Sequence, residues 1–158
     1  MIMNKTDIRD TAAKYLTYRS HTIAEMKKHL RQKGYEEGAV DEVVLEFTGY
    51  GYLDDSRYCM EYFDYAFGKG KGKRLVFAEL REKGVNHDTI QFAFEDWEGE
   101  YDEKSLAREE AMKVLHLTDV DPDAGPIDER TAARIGRRLQ TKGYSTDVIY
   151  SVIGELRK

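Results

Sequence analysis

Apolar residues recur along the chain three or four positions apart, which is the spacing of one face of a helix. Three stretches share the spacing i, i+4 and i+7. They are Val40, Val44 and Phe47; Ile90, Phe94 and Trp97; and Ile149, Ile153 and Leu156. No stretch of useful length alternates between apolar and polar residues, as a half-buried strand would. The pattern predicts an all-α protein.

A six-residue motif precedes each of these three helices. It reads LRQKGY at 30–35, LREKGV at 80–85 and LQTKGY at 139–144. Each part of it has a local role at the end of a helix. The glycine supplies the left-handed residue beyond the last turn, and the lysine faces the negative end of the helix dipole. The leucine packs against the apolar residue that follows the glycine. We interpret the motif as a helix end that the chain uses three times.

Two further amphipathic helices precede each motif-following helix. In the middle helix of each set the apolar positions are Ile23, Met26 and Leu30; Val76 and Leu80; and Ala132, Ile135 and Leu139. In the first helix of each set they are Ile8, Ala12, Tyr15 and Leu16; Tyr58, Cys59, Tyr62, Phe63 and Ala66; and Ala107, Ala111, Val114 and Leu115. The chain therefore divides into three three-helix repeats, at 1–49, 50–99 and 100–158, with a proline-containing loop at 118–126 in the third. Because three short helices bury little alone, we expect an elongated, curved array of repeats.

Short polar side chains stand where several of these helices begin. Thr22 and Glu25 have the spacing of a capping box. Asn86 and Ser145 are good N-cap residues, whereas Glu36 at the matching position of the first repeat is a weaker one. These residues predict the first turns of four helices.

Composition narrows the class of protein. Of the 158 residues, 35% are charged and 41% hydrophobic, which suits a globular helical chain. The single cysteine, Cys59, excludes an internal disulfide and is expected to be a small buried residue. No apolar stretch resembles a signal peptide or a membrane span, so we expect a cytoplasmic location and no membrane partner.

Several residues suggest catalysis or ligand binding, but none forms a convincing site. The segment 68–73 (GKGKGK) lacks the spacing of a P-loop, and we interpret it as a flexible basic connection whose glycines let the backbone approach a partner closely. Asp54 and Asp55 precede a helix and are expected to cap it. The four histidines, His21, His29, His87 and His116, have no metal-ligand spacing. The sequence thus predicts no enzyme, no metal and no cofactor.

Basic residues are concentrated in the middle helices although the net charge of the chain is −5. The third helices of the first two repeats are acidic instead. We expect the basic residues to line one side of the molecule and to contact phosphates or an acidic protein groove. The alternative is that they are solvated surface residues, with the lysines near helix ends serving the dipole. The candidate binding residues are Lys27, Lys28, Arg31, Lys69, Lys71, Lys73, Arg74, Arg81, Arg134, Arg137 and Arg138.

Tyrosine side chains are a second means of nucleic-acid binding, because they can stack on bases. Most of the eleven tyrosines lie at core-facing positions or beside glycine turns, so packing is the expected role. Tyr18 and Tyr65 lie at neither kind of position and are the open cases.

Taken together, the motifs resemble the RecX family of bacterial regulators of the RecA recombinase. They are GYLDDSRY at 51–58, EYF at 61–63 and ELREKGV at 79–85, with YRS at 18–20 ahead of Glu25 and Met26. The resemblance implies a monomeric protein of three-helix repeats that binds along the RecA filament and its single- or double-stranded DNA. It also implies that such a protein restrains filament growth, ATP hydrolysis and strand exchange. The alternative is a helix-turn-helix transcription regulator, since three-helix units with a glycine turn are typical of that class too.

Overall fold

The computed structural model describes residues 5–158, and the prediction of an all-α protein is confirmed for this range. The helices are α1 (Lys5–Tyr18), α2 (Ile23–Gln32), α3 (Glu37–Gly49), α4 (Asp55–Gly68), α5 (Lys73–Glu82), α6 (His87–Asp96), α7 (Glu103–Leu117), α8 (Glu129–Thr141) and α9 (Thr146–Leu156). One 3-10 turn, Pro122–Ala124, interrupts the predicted loop before α8. Within the described range no helix is both long enough and apolar enough to pass through a bilayer.

The three predicted helix ends are formed alike. Gly34, Gly84 and Gly143 have φ angles of 93°, 92° and 88°, in the left-handed region. The amide of the residue after each glycine donates to the carbonyl of the motif's leucine, at 3.3, 3.1 and 3.1 Å. These leucines and the residues that follow the glycines are buried. The backbone hydrogen bond at the helix end and the burial of the two apolar side chains thus occur together, as in a Schellman motif.

The predicted helix starts are also confirmed. Thr22 and Glu25 form both hydrogen bonds of a capping box. The Asn86 side chain accepts from the amide of residue 89 at 2.8 Å, and the Ser145 hydroxyl accepts from that of residue 148 at 3.4 Å. Glu36 makes no capping bond with its side chain, which agrees with its lower rank as a cap.

Two details of the apolar pattern differ from the prediction. Helix α6 ends at Asp96, and Trp97 has extended backbone angles, so the third member of that stripe lies outside the helix. In α9 the most buried residue is Val152, whereas Ile149 and Ile153 are only half-buried. The apolar face of α9 is wider than the surface that α7 and α8 cover.

The chain forms two compact units, each with elements of more than one repeat. The first comprises the chain up to Glu61 together with Glu79–Trp97, and the second comprises Tyr62–Ala78 together with Glu98–Lys158. In the first, α1, α2 and α3 enclose a core that includes Met26, Leu30 and Phe47. In the second, α7, α8 and α9 enclose another. The repeat boundaries at 49 and 99 stay a prediction.

Within each unit, one helix-end turn packs on the start of a middle helix. In the first unit the Thr22 hydroxyl donates to the carbonyl of Lys83 at 2.7 Å. In the second the amide of Gly72 donates to the carbonyl of Lys142, also at 2.7 Å. Thr22 and Gly72 each precede the first residue of a middle helix, so the two contacts are equivalent.

Candidate functional site

The glycine-rich basic segment before α5 is fixed by hydrogen bonds. The Tyr144 hydroxyl donates to the carbonyl of Gly70 at 2.7 Å, and the Lys142 amine donates to that of Lys69 at 3.4 Å. A Cβ atom on Gly72 would lie 2.7 Å from the carbonyl oxygen of Gly143. The prediction of a flexible connection is therefore wrong. The close backbone approach does occur, but its partner is a turn of the same chain.

A buried carboxylate, Glu110, lies directly against this segment. Its side chain is only 1% exposed and pairs with the Lys113 amine at 2.8 Å and the Arg138 guanidinium at 3.5 Å. A Cβ atom on Gly70 would overlap the Glu110 carboxylate. Because an unpaired buried charge is costly, Arg138 is held to Glu110 and is less available to a partner than its position in the sequence suggests.

The predicted binding residues are distributed over both units. Lys69, Lys71, Lys73, Arg74, Arg134, Arg137 and Arg138 belong to the second unit, and Lys27, Lys28, Arg31 and Arg81 to the first. Lys27, Lys71 and Lys73 are half-buried, and the others are exposed. The hypothesis that all of them line one side of the molecule stays a prediction.

Some of these cations have partners within the chain. Arg31 donates twice to Glu37, at 2.8 and 2.5 Å, and these bonds lower the pKa of the Glu37 carboxyl. Lys27 lies 4.0 Å from Asp41. Lys73 and Lys69 lie over the rings of Phe77 and Tyr65, respectively. The contacts of these four cations agree with the alternative that they are ordinary solvated surface residues.

Five predicted residues are exposed and, within residues 5–158, make no ion pair or hydrogen bond with their side chains. They are Lys28, Arg74, Arg81, Arg134 and Arg137. A cation without an intramolecular partner keeps its donors for another molecule. These five are the strongest of the predicted binding residues.

The structure adds two residues that the sequence analysis missed, Arg157 and Tyr150. Arg74 and Arg137 line a groove between α8 and α9 together with Arg157 and Tyr150. Tyr150 is 71% exposed, comparable with Tyr18 and Tyr65, whose exposure of 85% and 58% agrees with their status as open cases. The i, i+3, i+4 spacing of 146, 149, 150, 153 and 157 was the signal available in the sequence.

Asp54 and Asp55 both cap helices, but not the same one. Asp54 accepts from the amide of Arg57 at 3.1 Å and caps α4. Asp55 accepts from the amide of Ile23 at 2.9 Å and so stabilises the start of α2. Burial raises the pKa of Asp55. Between residues 5 and 158, no three side chains of metal-binding type come together.

The single cysteine is a core residue, as predicted. Cys59 is buried, and its burial raises the pKa of the thiol to about 12. A thiol with so high a pKa is almost fully protonated at neutral pH and is a poor nucleophile.

Comparison with known proteins places the fold in one family. Residues 9–47 match the model described as "RecX, first three-helix domain", and residues 54–93 match "RecX, second three-helix domain". The regulatory protein RecX of Vibrio parahaemolyticus is 30% identical over 145 residues, an alignment that covers 89% of this chain and 86% of that protein. The chain belongs to the RecX family.

Relatives of this family differ in length. The regulatory protein RecX of Bacillus subtilis is 30% identical over 151 residues, which is 92% of this chain but 53% of that protein. The chain thus spans about half the length of the Bacillus relatives.

Solved RecX structures share the fold. RecX from Lactobacillus salivarius has a TM-score of 0.79 at 22% identity and aligns over 96% of both chains. A second RecX structure has a TM-score of 0.77 at 22% identity, over 96% of this chain and 71% of the other. The helical repeat fold implied by the sequence resemblance is confirmed. Helices α8 and α9 lie outside both segments that match RecX domain models, whereas Arg74, which also lines their groove, lies in the second segment.

Proposed function

We propose that this chain is a negative regulator of the RecA recombinase. It binds along the RecA–DNA filament and restrains filament growth, ATP hydrolysis and strand exchange. Membership of the RecX family carries the proposal, and the relatives' name, regulatory protein, supports a role in regulation. In this function the chain acts by binding and performs no chemistry of its own.

The charge distribution supports binding to a filament of protein and DNA. The net charge of −5 opposes indiscriminate coating of nucleic acid. Exposed unpaired cations such as Lys28, Arg81 and Arg134 nevertheless offer local contacts to phosphates. Binding then depends on how these side chains match the filament.

The direct experiment measures RecA-dependent ATP hydrolysis on single-stranded DNA with and without this chain. We expect hydrolysis to decline as the chain approaches stoichiometric amounts. No effect at those amounts would contradict the proposal. Base-specific shifting of duplex DNA in the absence of RecA would instead favour a transcription regulator.

Charge variants connect this effect to the surface. The double variant K28Q/R81Q removes two exposed cations that have no partner within the described range, and we expect weaker inhibition from it. The variant K14Q/K158Q changes the net charge equally at two other exposed lysines and should inhibit like the wild type. Equal behaviour of the two variants would remove Lys28 and Arg81 from the binding surface.

A further inference from the structure

The groove between α8 and α9 has the shape of a surface on which a third helix packs. Its α8 wall consists of Glu129, Ala132, Ala133, Gly136, Arg137, Gln140 and Thr141, and its α9 wall of Thr146, Ile149, Tyr150, Ile153 and Arg157. Both sets follow i, i+3, i+4 spacing over three helical turns. At 1.5 Å per residue, the groove is about 16 Å long. Two adjacent helices present ridges and grooves that accept another helix of that length.

The floor of the groove is apolar and not filled by the chain. Ile149 and Ile153 are half-buried, since α7 and α8 cover only part of the apolar face of α9. Gly136 contributes no side chain, and a Cβ atom there would lie 3.5 Å from the Cδ1 atom of Ile153, an ordinary contact distance. Gly136 and Ile153 thus lie side by side in the floor of an open groove, where apolar side chains of another molecule can reach them.

The glycine in the floor of this groove is particular to the third predicted repeat. Seven residues before the glycine of each helix-end motif stand Lys27, Phe77 and Gly136. A long or bulky side chain thus occupies the position in the first two repeats, whereas the third has none. Sequence alone makes this groove different from its counterparts.

Arginine side chains surround the floor. Arg74, Arg137 and Arg157 are exposed and make no ion pair within the residues that the structure describes. Glu129 is the one acidic residue among the lining residues. The charge of the rim is therefore complementary to an acidic ligand, and arginine binds carboxylates in a two-bonded geometry. Tyr150, exposed at the same rim, adds a side chain of the type that anchors protein interfaces.

We propose that this groove binds an acidic amphipathic helix of a protein partner. The apolar face of that helix lies on Ile149 and Ile153 above Gly136, and its carboxylates pair with Arg137, Arg157 and Arg74. This is the helix-in-groove mode of recognition, with anchors at i, i+3, i+4 and i+7. The inference rests on the proposed function only in that the recombinase filament would supply the helix.

A nucleic-acid strand fits the same surface less well. Grooves for single strands use aromatic side chains as stacking platforms. Of the two tyrosines that line this groove, Tyr144 is buried, so Tyr150 alone is exposed for stacking. The apolar floor and the arginine rim together favour a peptide over a nucleic-acid strand.

The test uses a fluorescein-labelled synthetic 14-residue peptide with leucine at positions i, i+3, i+4 and i+7 and glutamate elsewhere. Its scrambled version and a 20-nucleotide oligothymidine serve as comparison probes. Fluorescence anisotropy should show the amphipathic peptide binding the wild-type chain at least tenfold more tightly than the scrambled one. Absence of binding by the amphipathic peptide would overturn the proposal.

Variants assign the binding to the groove. Gly136→Phe introduces the residue of the second repeat into the floor and should weaken peptide binding at least tenfold, as should R137Q/R157Q. The matched control is Gly154→Phe, because Gly154 lies on α9 outside the groove with open space around its Cα. It should bind like the wild type, and thermal melts of all variants report folding. The proposal would be overturned if Gly136→Phe bound the peptide as tightly as the wild type does. It would also be overturned if this variant lost binding to oligothymidine instead of binding to the peptide.

Failure of this proposal is distinguishable from failure of the proposed function. If the wild type binds the peptide but leaves RecA ATP hydrolysis unchanged, the groove assignment stands and the RecA assignment fails. If the wild type inhibits RecA but does not bind the peptide, the groove assignment fails alone.

Discussion

At the scale of single residues, the three helix-end glycines share a backbone conformation but not an environment. A Cβ atom on Gly34 would meet nothing within 4 Å, whereas one on Gly84 would overlap the Cβ of Ala24. On Gly143 it would lie 2.5 Å from the backbone nitrogen of Leu75. All three glycines end a helix, but only Gly84 and Gly143 also permit the packing of a turn on another helix.

Alanine substitutions separate these two roles. Gly34→Ala should lower the free energy of unfolding by about 1–2 kcal/mol, the cost of a left-handed non-glycine residue. Gly143→Ala should cost about 1–3 kcal/mol more, because the backbone at Leu75 must also move. Urea unfolding measures both. Equal losses would contradict the packing role of Gly143.

Thr22 is the residue at which a local cap and a distant contact coincide. Its hydroxyl accepts from the amide of Glu25 at 3.1 Å and donates to the carbonyl of Lys83 at 2.7 Å. Thr22→Ala should therefore destabilise by about 1–3 kcal/mol, above the usual loss of a cap, because a carbonyl loses its donor. The matched variant Glu36→Ala removes a side chain without a capping bond and should stay within about 0.5 kcal/mol. Thermal or urea unfolding of the two variants decides.

At the scale of elements, aromatic stacking joins α2 and the segment before it to α1. The ring of Tyr15 stacks on the rings of His21 and His29, with distances of 3.6 Å and 3.8 Å between the ring centroids. His21 is buried, and neither of its ring nitrogens has a hydrogen-bond partner, although the Glu25 carboxylate lies 3.6 Å from its Nδ1 atom. Burial, with a smaller contribution from Arg19, lowers the pKa of His21. Burial likewise lowers the pKa of His29.

This stack predicts a loss of stability in mild acid. Because the folded-state pKa of His21 and His29 lies below the ordinary value of 6.5, the unfolded chain binds more protons below that pH. The stabilisation is complete above pH 6.5 and is lost as the pH falls through the folded-state pKa values. We expect the melting temperature to fall between pH 7.5 and pH 5 and the fall to be smaller in His21→Phe. The same pH dependence in that variant would contradict a role for His21.

At the scale of the whole molecule, an acidic chain presents exposed cations without internal partners. The acidic side chains reduce non-specific attraction, while the cations provide contacts that release counterions from DNA. Filament binding should therefore weaken as salt increases.

Salt dependence provides the measurement for that surface. Log affinity falls as log salt rises, and each lost phosphate contact makes that negative slope shallower by about 0.7–0.9. K28Q/R81Q should thus flatten the slope for binding to a RecA filament on single-stranded DNA, whereas K14Q/K158Q should leave it unchanged. Parallel slopes for the two variants would show that Lys28 and Arg81 do not contact phosphates.

Local sequence accounts for the helices, their ends and most of their caps. A left-handed glycine after a leucine and lysine, or a Thr22–Glu25 pair, acts over four or five residues, so neighbouring residues contain all the necessary information. The RecX motifs at 51–58 and 79–85 likewise gave the family, which the comparisons confirmed. The total charge and the basic character of the middle helices were also readable from the sequence.

Which of these residues contact one another depends on packing between distant parts of the chain. The fixing of Gly72 on the Lys142 carbonyl, the capping of α2 by Asp55 and the pairing of Arg138 with Glu110 each join positions 28 or more residues apart. The α8–α9 groove depends on a missing side chain at Gly136 and on how far α7 and α8 cover α9. Helical periodicity predicts which face of a helix is apolar, but the neighbours that pack on it determine how much of that face stays open.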